Sequence, residues 1–125
     1  MSGQKSYTRG QQGERIAAEH LQRQGYKIVE TNVRVTGGEI DLIADDQGTL
    51  VFVEVRARRG GAYGDAAESI GKQKQRRVYR AAEAYLQARC IPPARPSRID
   101  VVTIQLDPTG KAMRVELIKN AVELE

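Results

Sequence analysis

The sequence has little of the chemistry that supports secretion, membrane insertion or a cysteine-bound metal. It contains one cysteine, Cys90, which cannot form an intramolecular disulfide, and this predicts a cytoplasmic protein without a Cys-ligated zinc site. No apolar run approaches the ~20 residues of a transmembrane helix, and no apolar signal-peptide segment is recognisable. We therefore expect neither a membrane protein nor a secreted one.

Residues for nucleophilic catalysis and nucleotide binding are also scarce. His20 is the single histidine and lies in a predicted helix, with no serine or cysteine in a recognisable arrangement for a catalytic triad. Cys90 follows a predicted helix end, which does not favour a nucleophilic role. Gly60-Gly61 lacks the spacing of a phosphate-binding loop. With no tryptophan and one phenylalanine, recognition of single strands by base stacking is disfavoured.

The composition that is present fits one folded domain. A chain of 125 residues lies within the ~100–150 residues of a typical domain, and 40% of its residues are hydrophobic. We expect residues 1–125 to form a single domain, with an exposed link at Ile91–Pro96, where three prolines interrupt the pattern.

The positive charge is concentrated in one segment. The net charge is +4, yet residues 56–80 carry eight basic and two acidic side chains, and the rest of the chain is slightly acidic. Such a concentration predicts a polyanionic partner, most commonly nucleic acid, although a solvated helix face has the same composition.

Hydrophobic periodicity and turn residues predict the element order αβββαββ. The predicted elements are helices at 8–24, capped by Thr8, and 69–89, capped by Ser69, and strands at 26–35, 39–44, 50–57, 98–106 and 112–118. The fold class is α/β of the α+β kind, with helices packed against one sheet. In the first helix, Glu14 lies one turn before the apolar residues Ala17, Ala18 and Leu21. A helix dipole also explains a glutamate at that position, so its role stays open.

The second and third strands are predicted to form a hairpin. If Gln47 and Gly48 form a two-residue turn, residues whose numbers sum to 95 lie opposite each other. This register gives three cross-strand pairs: Asp46 with Thr49, Asp41 with Glu54, and Glu39 with Arg56. Alternation also predicts that Ile40 and Leu42 share one face of the sheet, with Glu39, Asp41 and Ile43 on the other.

Two carboxylates directly opposite each other need a compensating group. At ~4 Å they repel by roughly 4 kcal/mol at an effective dielectric constant near 20. Protonation of one acid, a bridge from Arg56, or a bound cation between Asp41 and Glu54 each relieves this repulsion. Mg²⁺ suits the last case, because it binds through one or two carboxylates together with water and phosphate oxygens.

The second predicted helix carries a basic face. Lys72, Arg76 and Arg80 are spaced i, i+4 and i+8, and Lys74 and Arg77 widen this face. Gln75 and Tyr79 lie at its border, and Arg58 and Arg59 extend the charge from the end of the third strand. These side chains predict binding to a phosphate backbone, with a log–log salt slope of about −5 if six of them contact phosphates.

The acid of one strand followed by Glu-x-Arg on the next resembles the PD-(D/E)XK signature of restriction-endonuclease-like nucleases, which include Holliday-junction resolvases. Over nearly its full length the chain also resembles the YraN-like family of uncharacterised bacterial proteins. The matching segments are Gly13-Glu14, Gly38–Ala44, Val51–Arg56 and the basic start of the second helix, Lys72–Arg77.

This resemblance implies a restriction-endonuclease-like fold with a central mixed sheet flanked by helices. It further implies that Asp41 and Glu54, with the Val55 carbonyl, bind Mg²⁺ or Mn²⁺, that Glu14 is an additional acid of the site, and that Gln75 and Tyr79 form a Gln-x-x-x-Tyr element. The implied activity is cleavage of duplex or branched DNA, and junction-cutting relatives of this fold imply a homodimer.

The sequence departs from the signature at Arg56, where the family pattern has lysine. Arginine stays protonated and is not interchangeable with lysine, although it can stabilise charge on phosphate. Three functions therefore remain open: a metal-dependent endonuclease, a non-catalytic nucleic-acid-binding module of the same fold, and a domain that binds an acidic protein. The roles of Glu39 and Asp100 are not assigned by the sequence.

Overall fold

Helices and strands follow one another in the predicted order. The computed structural model describes residues 9–59 and 71–122. The elements are α1 (Arg9–Arg23), β1 (Lys27–Val35), β2 (Gly38–Asp46), β3 (Thr49–Arg59), α2 (Lys72–Ala88), β4 (Ser97–Leu106) and β5 (Ala112–Val122). The predicted caps Thr8 and Ser69 lie outside the described residues. Gly71 occupies the N-cap position of α2, and Gly25, with φ of +94°, ends the turn after α1.

One mixed sheet in the order β1-β2-β3-β4-β5 contains all five strands. Neighbouring strands are antiparallel except β3 and β4, which are parallel and are connected through α2. A parallel pair needs such a crossover connection, and this accounts for the helix between these two strands. The prediction of a single α+β domain with a mixed sheet and flanking helices is confirmed, and the architecture is consistent with a restriction-endonuclease-like fold.

The two helices cover opposite faces of the sheet. α1 packs through Ala17 and Leu21 into one apolar cluster, which includes Leu42, Val51 and Val53. The other cluster contains the predicted apolar face of α2, which is Val78, Ala81, Ala82 and Tyr85, together with Phe52 and Ile43 of the sheet. The sheet is thus apolar on both sides, as expected for a three-layer arrangement.

The predicted turn of the β2–β3 hairpin is confirmed. Gln47 and Gly48 have φ of 52° and 96°, the left-handed conformations that a two-residue hairpin turn requires. Asp46 lies opposite Thr49, and the same register continues to Leu42 and Val53. The register that brings the acids of this hairpin together is therefore set by local turn chemistry.

The predicted alternation in β2 is wrong at Asp41. Ile40 belongs to the apolar cluster under α2, whereas Leu42 belongs to the one under α1. The β1–β2 register places Asn32 opposite Asp41, and Asn32 has a left-handed φ of 51°. A left-handed residue inside a strand bends it, so the hairpin changes direction at this point.

The link from α2 to β4 is exposed at its prolines, Pro92, Pro93 and Pro96, as predicted. The turn between β4 and β5 contains the predicted Asp107–Gly110 segment, in which the Asp107 carboxylate accepts hydrogen bonds from the backbone of Thr109 and Lys111. Neither helix in the described part of the chain has the length and apolar character that a bilayer crossing needs.

Candidate functional site

Asp41 lies where the pairing of β2 with β3 ends. The cross-strand register stops at Leu42 and Val53, one step before the predicted pair of Asp41 with Glu54. The backbone N–H of Val55 donates instead to Asp41 Oδ2 at 2.8 Å. A side-chain oxygen thus replaces a backbone carbonyl of the ladder, which fixes the carboxylate at the opening between the strands.

Glu54 is buried on the face of β3 that α2 covers, with 7% of its surface exposed. Its Oε2 lies 3.1 Å from Nζ of Lys74 on α2. A buried carboxylate is stable as an anion only when it is paired or hydrogen-bonded, and Lys74 provides this partner. Arg56, which was predicted to bridge Asp41 and Glu54, makes a contact within the fold, and the cation that pairs with Glu54 comes from α2.

A cavity of about 410 Å³ connects these groups, and we call it the acid cleft. It is lined by Gly37, Gly38, Glu39, Asp41, Glu54, Val55, Lys74, Arg77 and Val78. It therefore contains both predicted metal ligands and two of the predicted phosphate-binding residues. Glu39, whose role the sequence left open, is also part of its wall.

Burial raises the pKa of Asp41 to about 7, against an ordinary value of 3.8. The hydrogen bond from Val55 opposes this increase, the negative charges of Glu54 and Glu14 add to it, and the Lys74 ammonium opposes it. Asp41 forms no ion pair with any residue in ranges 9–59 and 71–122. Its charge is therefore the least compensated of the acid cleft.

Glu14 approaches the site from α1. It is half-buried, burial raises its pKa, and a hydrogen bond with Asn32 opposes that increase. Its helix lies against β3 at Gly13, where a Cβ would be in ordinary van der Waals contact with Cβ of Ala57, 3.5 Å away. Glu14 does not line the acid cleft itself, but its charge acts on Asp41.

The acid cleft contains oxygen atoms of the kind that bind a divalent cation. In the described ranges no three acidic, histidine or cysteine side chains form a group that could hold a metal ion. Asp41 and Glu54 offer two carboxylates beside the backbone of Val55. This oxygen set fits Mg²⁺, which keeps several waters and takes further ligands from a substrate phosphate.

The basic residues of α2 divide between two flanks. Lys74 and Arg77 line the acid cleft. A second cavity of about 360 Å³, the outer groove, is lined by Lys72, Gln75, Arg76, Tyr79, Arg80, Glu83 and Val122. Lys74 and Arg77, predicted to widen the basic face, thus line a different cavity from Lys72, Arg76 and Arg80.

The spacing of residues in the sequence already separated Lys74 and Arg77 from the other basic residues of α2. Lys74 and Arg77 each lie four residues before a buried residue, Val78 and Ala81 respectively, and so continue the apolar face towards the start of the helix. The same spacing drew attention to Glu14 on α1. Applied to α2, it predicts that Lys74 lies close to the sheet.

The remaining predicted phosphate-binding residues, Arg56, Arg58 and Arg59, lie in the last part of β3. Arg56 and Arg58 are half-buried and each makes a contact within the fold. Arg59 ends β3, and its side chain lies outside the described part of the structure.

Asp100 is neither an additional acid of the cleft nor an edge residue. It is fully buried, and it accepts hydrogen bonds from the Tyr26 hydroxyl, the Arg98 guanidinium and the Asn120 backbone N–H. Arg98 also donates to Asp46 at 2.7 Å. The sequence reasoning missed this network, because Tyr26 and Asp46 lie far along the chain from the neighbouring residues Arg98 and Asp100.

Comparisons with known proteins identify the family. The model of the uncharacterised protein family UPF0102 matches residues 13–104. A UPF0102 protein of Symbiobacterium thermophilum is 50% identical, with 90% of this chain and 93% of the relative covered. The UPF0102 proteins of Desulfosudis oleivorans and Syntrophus aciditrophicus are 48% and 44% identical, covering 91% and 92% of this chain and 89% and 88% of their own.

Among solved structures, the chain of Pyrococcus furiosus SfsA in complex with Ca²⁺ aligns with a TM-score of 0.35 and 13% identity. The alignment covers 93% of this chain but 64% of that one, and a likeness of this size carries no argument. The sequence matches are of a different order, since they extend across both helices and four of the five strands of the fold. The chain belongs to the uncharacterised protein family UPF0102, the YraN-like family.

Proposed function

We propose that the protein is a Mg²⁺-dependent endonuclease that hydrolyses phosphodiester bonds in duplex or branched DNA. The observation that carries this proposal is the acid cleft, where Asp41 and Glu54 lie beside Lys74 and Arg77. Burial of an acid without an ion-pair partner destabilises a fold, so the retention of Asp41 beside Glu54 is characteristic of a site with a chemical role. The adjacent cations make that cavity suitable for a phosphate group.

In this proposal Asp41, Glu54 and the carbonyl of Val55 hold the cation. Bound Mg²⁺, or Mn²⁺, would activate a water molecule and offset negative charge on the scissile phosphate. The Val55 N–H keeps the Asp41 carboxylate in place at 2.8 Å. Glu14 acts on Asp41 through its charge and is a positioning residue.

Lys74 can take the role of the lysine that the nuclease signature has at the position of Arg56. The signature lysine is replaced by Arg56, but Lys74 brings an ammonium group to within 3.1 Å of Glu54 from α2. A lysine can hold a water molecule or a phosphate oxygen with its three donors. We assign this role to Lys74, and phosphate binding to Arg77 of α2 and to three residues in the last part of β3, Arg56, Arg58 and Arg59.

The same ion pair favours a second candidate, a non-catalytic DNA-binding module. If Lys74 neutralises Glu54 permanently, one metal ligand is lost and the cleft only binds phosphate. The two functions differ in turnover and share DNA binding.

The test is cleavage of a fluorescent 30-bp duplex and a four-way junction with Mg²⁺, with Mn²⁺ and with EDTA. We expect metal-dependent products from the wild type and none from Asp41→Asn or Glu54→Gln, whereas Glu116→Gln, an exposed acid of β5, cleaves normally. Cleavage that survives both cleft variants contradicts the site assignment. Binding without any cleavage supports the module, and absence of binding at low salt leaves an acidic protein as the partner.

Cutting two strands of a duplex or junction in one binding event requires two such sites. We therefore expect a homodimer on the substrate. Analytical ultracentrifugation with a junction measures the stoichiometry, and one chain per junction contradicts this expectation.

A further inference from the structure

Two flanks of α2 carry separate sets of cations. On the inner flank, Lys74 and Arg77 line the acid cleft together with Gly37 and Gly38 of the β1–β2 turn. On the other side lies the outer groove, which extends to Val122 at the end of β5. β1 and β5 are the opposite edges of the sheet, so the two cavities open towards different sides of the helix.

The outer groove presents its cations in a regular row. Lys72, Arg76 and Arg80 are exposed and follow one another at four-residue intervals, which are about 6 Å apart along a helix. The row spans about 12 Å, and a DNA strand presents one phosphate per about 3.4 Å of duplex axis. The groove therefore has the length to contact roughly three successive phosphates.

Within the part of the chain that the structure describes, these three cations have no acidic partner. Across residues 9–59 and 71–122, no carboxylate forms an ion pair with Lys72, Arg76 or Arg80. Glu83 is the one acid among the residues that line the outer groove. Three exposed cations beside one acid favour an anionic ligand with several charges.

The width of α2 fits the space between two DNA backbones. An α-helix with its side chains is about 10–12 Å wide, and the major groove of B-form DNA is about 12 Å wide. A helix lying in that groove has one phosphate backbone on each side. α2 has a basic flank on each side, and a single backbone in the acid cleft leaves the outer row without a ligand.

We infer that α2 lies in the major groove of a DNA duplex, with its inner flank on the strand whose phosphate enters the acid cleft and its outer groove on the complementary strand. This inference rests on the proposed function and specifies its substrate as B-form duplex. An RNA duplex is excluded as an equal ligand, because its A-form major groove is too narrow and deep for a helix.

The test compares three labelled probes in EDTA, which prevents cleavage: a 20-bp DNA duplex, one of its strands alone, and an RNA duplex of the same sequence. Fluorescence anisotropy against salt concentration is measured for the wild type, for Arg76→Ala/Arg80→Ala, and for Lys111→Ala/Arg114→Ala. The last variant removes the same charge from exposed residues of the β4–β5 hairpin. Thermal melting confirms that all three proteins are folded.

For Arg76→Ala/Arg80→Ala we expect a duplex-DNA salt slope reduced by about 2, at about one per lost phosphate contact, with single-strand affinity unchanged. Lys111→Ala/Arg114→Ala should match the wild type on every probe, and the RNA duplex should bind at least ten-fold more weakly than the DNA duplex. Equal losses on duplex and single strand, or equal affinity for both duplexes, overturn the inference while leaving a DNA-binding function intact. No binding of the wild type to any probe overturns both.

Discussion

Two aspartates of this fold accept the same kind of hydrogen bond in opposite surroundings. Asp41 accepts the N–H of Val55 and Asp100 accepts the N–H of Asn120, each at 2.8 Å and each where the regular strand pairing is interrupted. Asp100 is also bound by Arg98 and Tyr26, whereas Asp41 is next to Glu54 and within reach of the charge of Glu14.

The difference separates a stabilising acid from a functional one. Every buried side-chain oxygen and nitrogen of the described residues has a hydrogen-bond partner, so the two acids differ in the charges around them. Burial and the neighbouring negative charges raise the pKa of Asp41 to about 7, and the Lys74 ammonium offsets this only in part. A buried acid by itself therefore says little about function, and the sign of the charges around it says much more.

The largest effect is expected where a buried pair is broken. Arg98→Ala leaves Asp100 fully buried without its cation, and we expect a loss of about 3–5 kcal/mol in the free energy of unfolding. Urea denaturation at pH 7 measures it. Arg114→Ala, which breaks an exposed pair with Glu116, should cost less than about 1 kcal/mol. Similar losses in the two variants would show that Asp100 does not depend on Arg98.

Neutralising Asp41 should increase the free energy of unfolding, whereas Arg98→Ala should decrease it. The folded protein holds this proton more tightly than the unfolded chain, because the pKa is about 7 rather than 3.8. The stability that this provides is complete below pH 3.8 and is lost as the pH rises through 7. Asp41→Asn should therefore be more stable than wild type by roughly 2 kcal/mol at pH 8, after allowance for solvent screening of the full shift, and nearly equal at pH 4.

Urea denaturation in EDTA at the two pH values provides this measurement. Glu116→Gln, an exposed acid, is the control and should show no such pH dependence. An Asp41→Asn variant that is less stable than wild type at pH 8 would mean that the carboxylate stabilises the fold, as Asp100 does.

The two flanks of α2 provide the next contrast. Lys74→Met removes the partner of Glu54 and should cost about 1–1.5 kcal/mol at pH 8. It should also raise the pKa of Asp41 further, because the Lys74 charge lowers it. Arg76→Met removes an equal charge from the outer groove and should change neither quantity. NMR titration of the Asp41 carboxyl carbon distinguishes the two variants. A similar rise of the Asp41 pKa in both would show that the Lys74 charge acts on Asp41 no more strongly than the Arg76 charge does.

Local chemistry explains which parts of the fold could be predicted. The Gln47-Gly48 turn sets the register of β2 and β3 through backbone conformation alone, and the apolar faces of both helices follow from their periodicity. The break in β2 at Asp41 depends on Asn32 in the neighbouring strand, so alternation within β2 could not reveal it.

The site shows the same limit. Asp41 and Glu54 could be identified because they lie on adjacent strands of one hairpin. Tyr26 meets Asp100 only through the topology of the sheet, because 74 positions separate the two residues. Lys74 is intermediate, since its spacing to Val78 was present in the sequence but its contact with Glu54 depends on how α2 crosses the sheet.

The smallest expected effect tests whether the acids around Asp41 act as one cluster. Glu54→Gln and Glu14→Gln each remove a negative charge that raises the pKa of Asp41, and the contribution of Glu54 is the larger. Both variants should lower that pKa, Glu54→Gln more than Glu14→Gln, as followed by the carboxyl carbon shift of Asp41. Glu14→Gln keeps the size and polarity of a half-buried side chain, so stability should change by less than about 0.5 kcal/mol.

The order of the two decreases in the Asp41 pKa, Glu54→Gln before Glu14→Gln, matters more than the size of either one. Glu14 reaches Asp41 from α1 on one face of the sheet, whereas Glu54 lies under α2 on the other. Since the strands part at Asp41, charge from both layers can act on it there. Asp45→Asn, which removes an acid already paired with Arg95, controls for a general change in charge and should leave the pKa of Asp41 where it is. If Glu14→Gln, like Asp45→Asn, leaves the pKa of Asp41 unchanged, the acids that act on Asp41 are confined to the acid cleft. Glu14 then has a structural role, as Asp100 does.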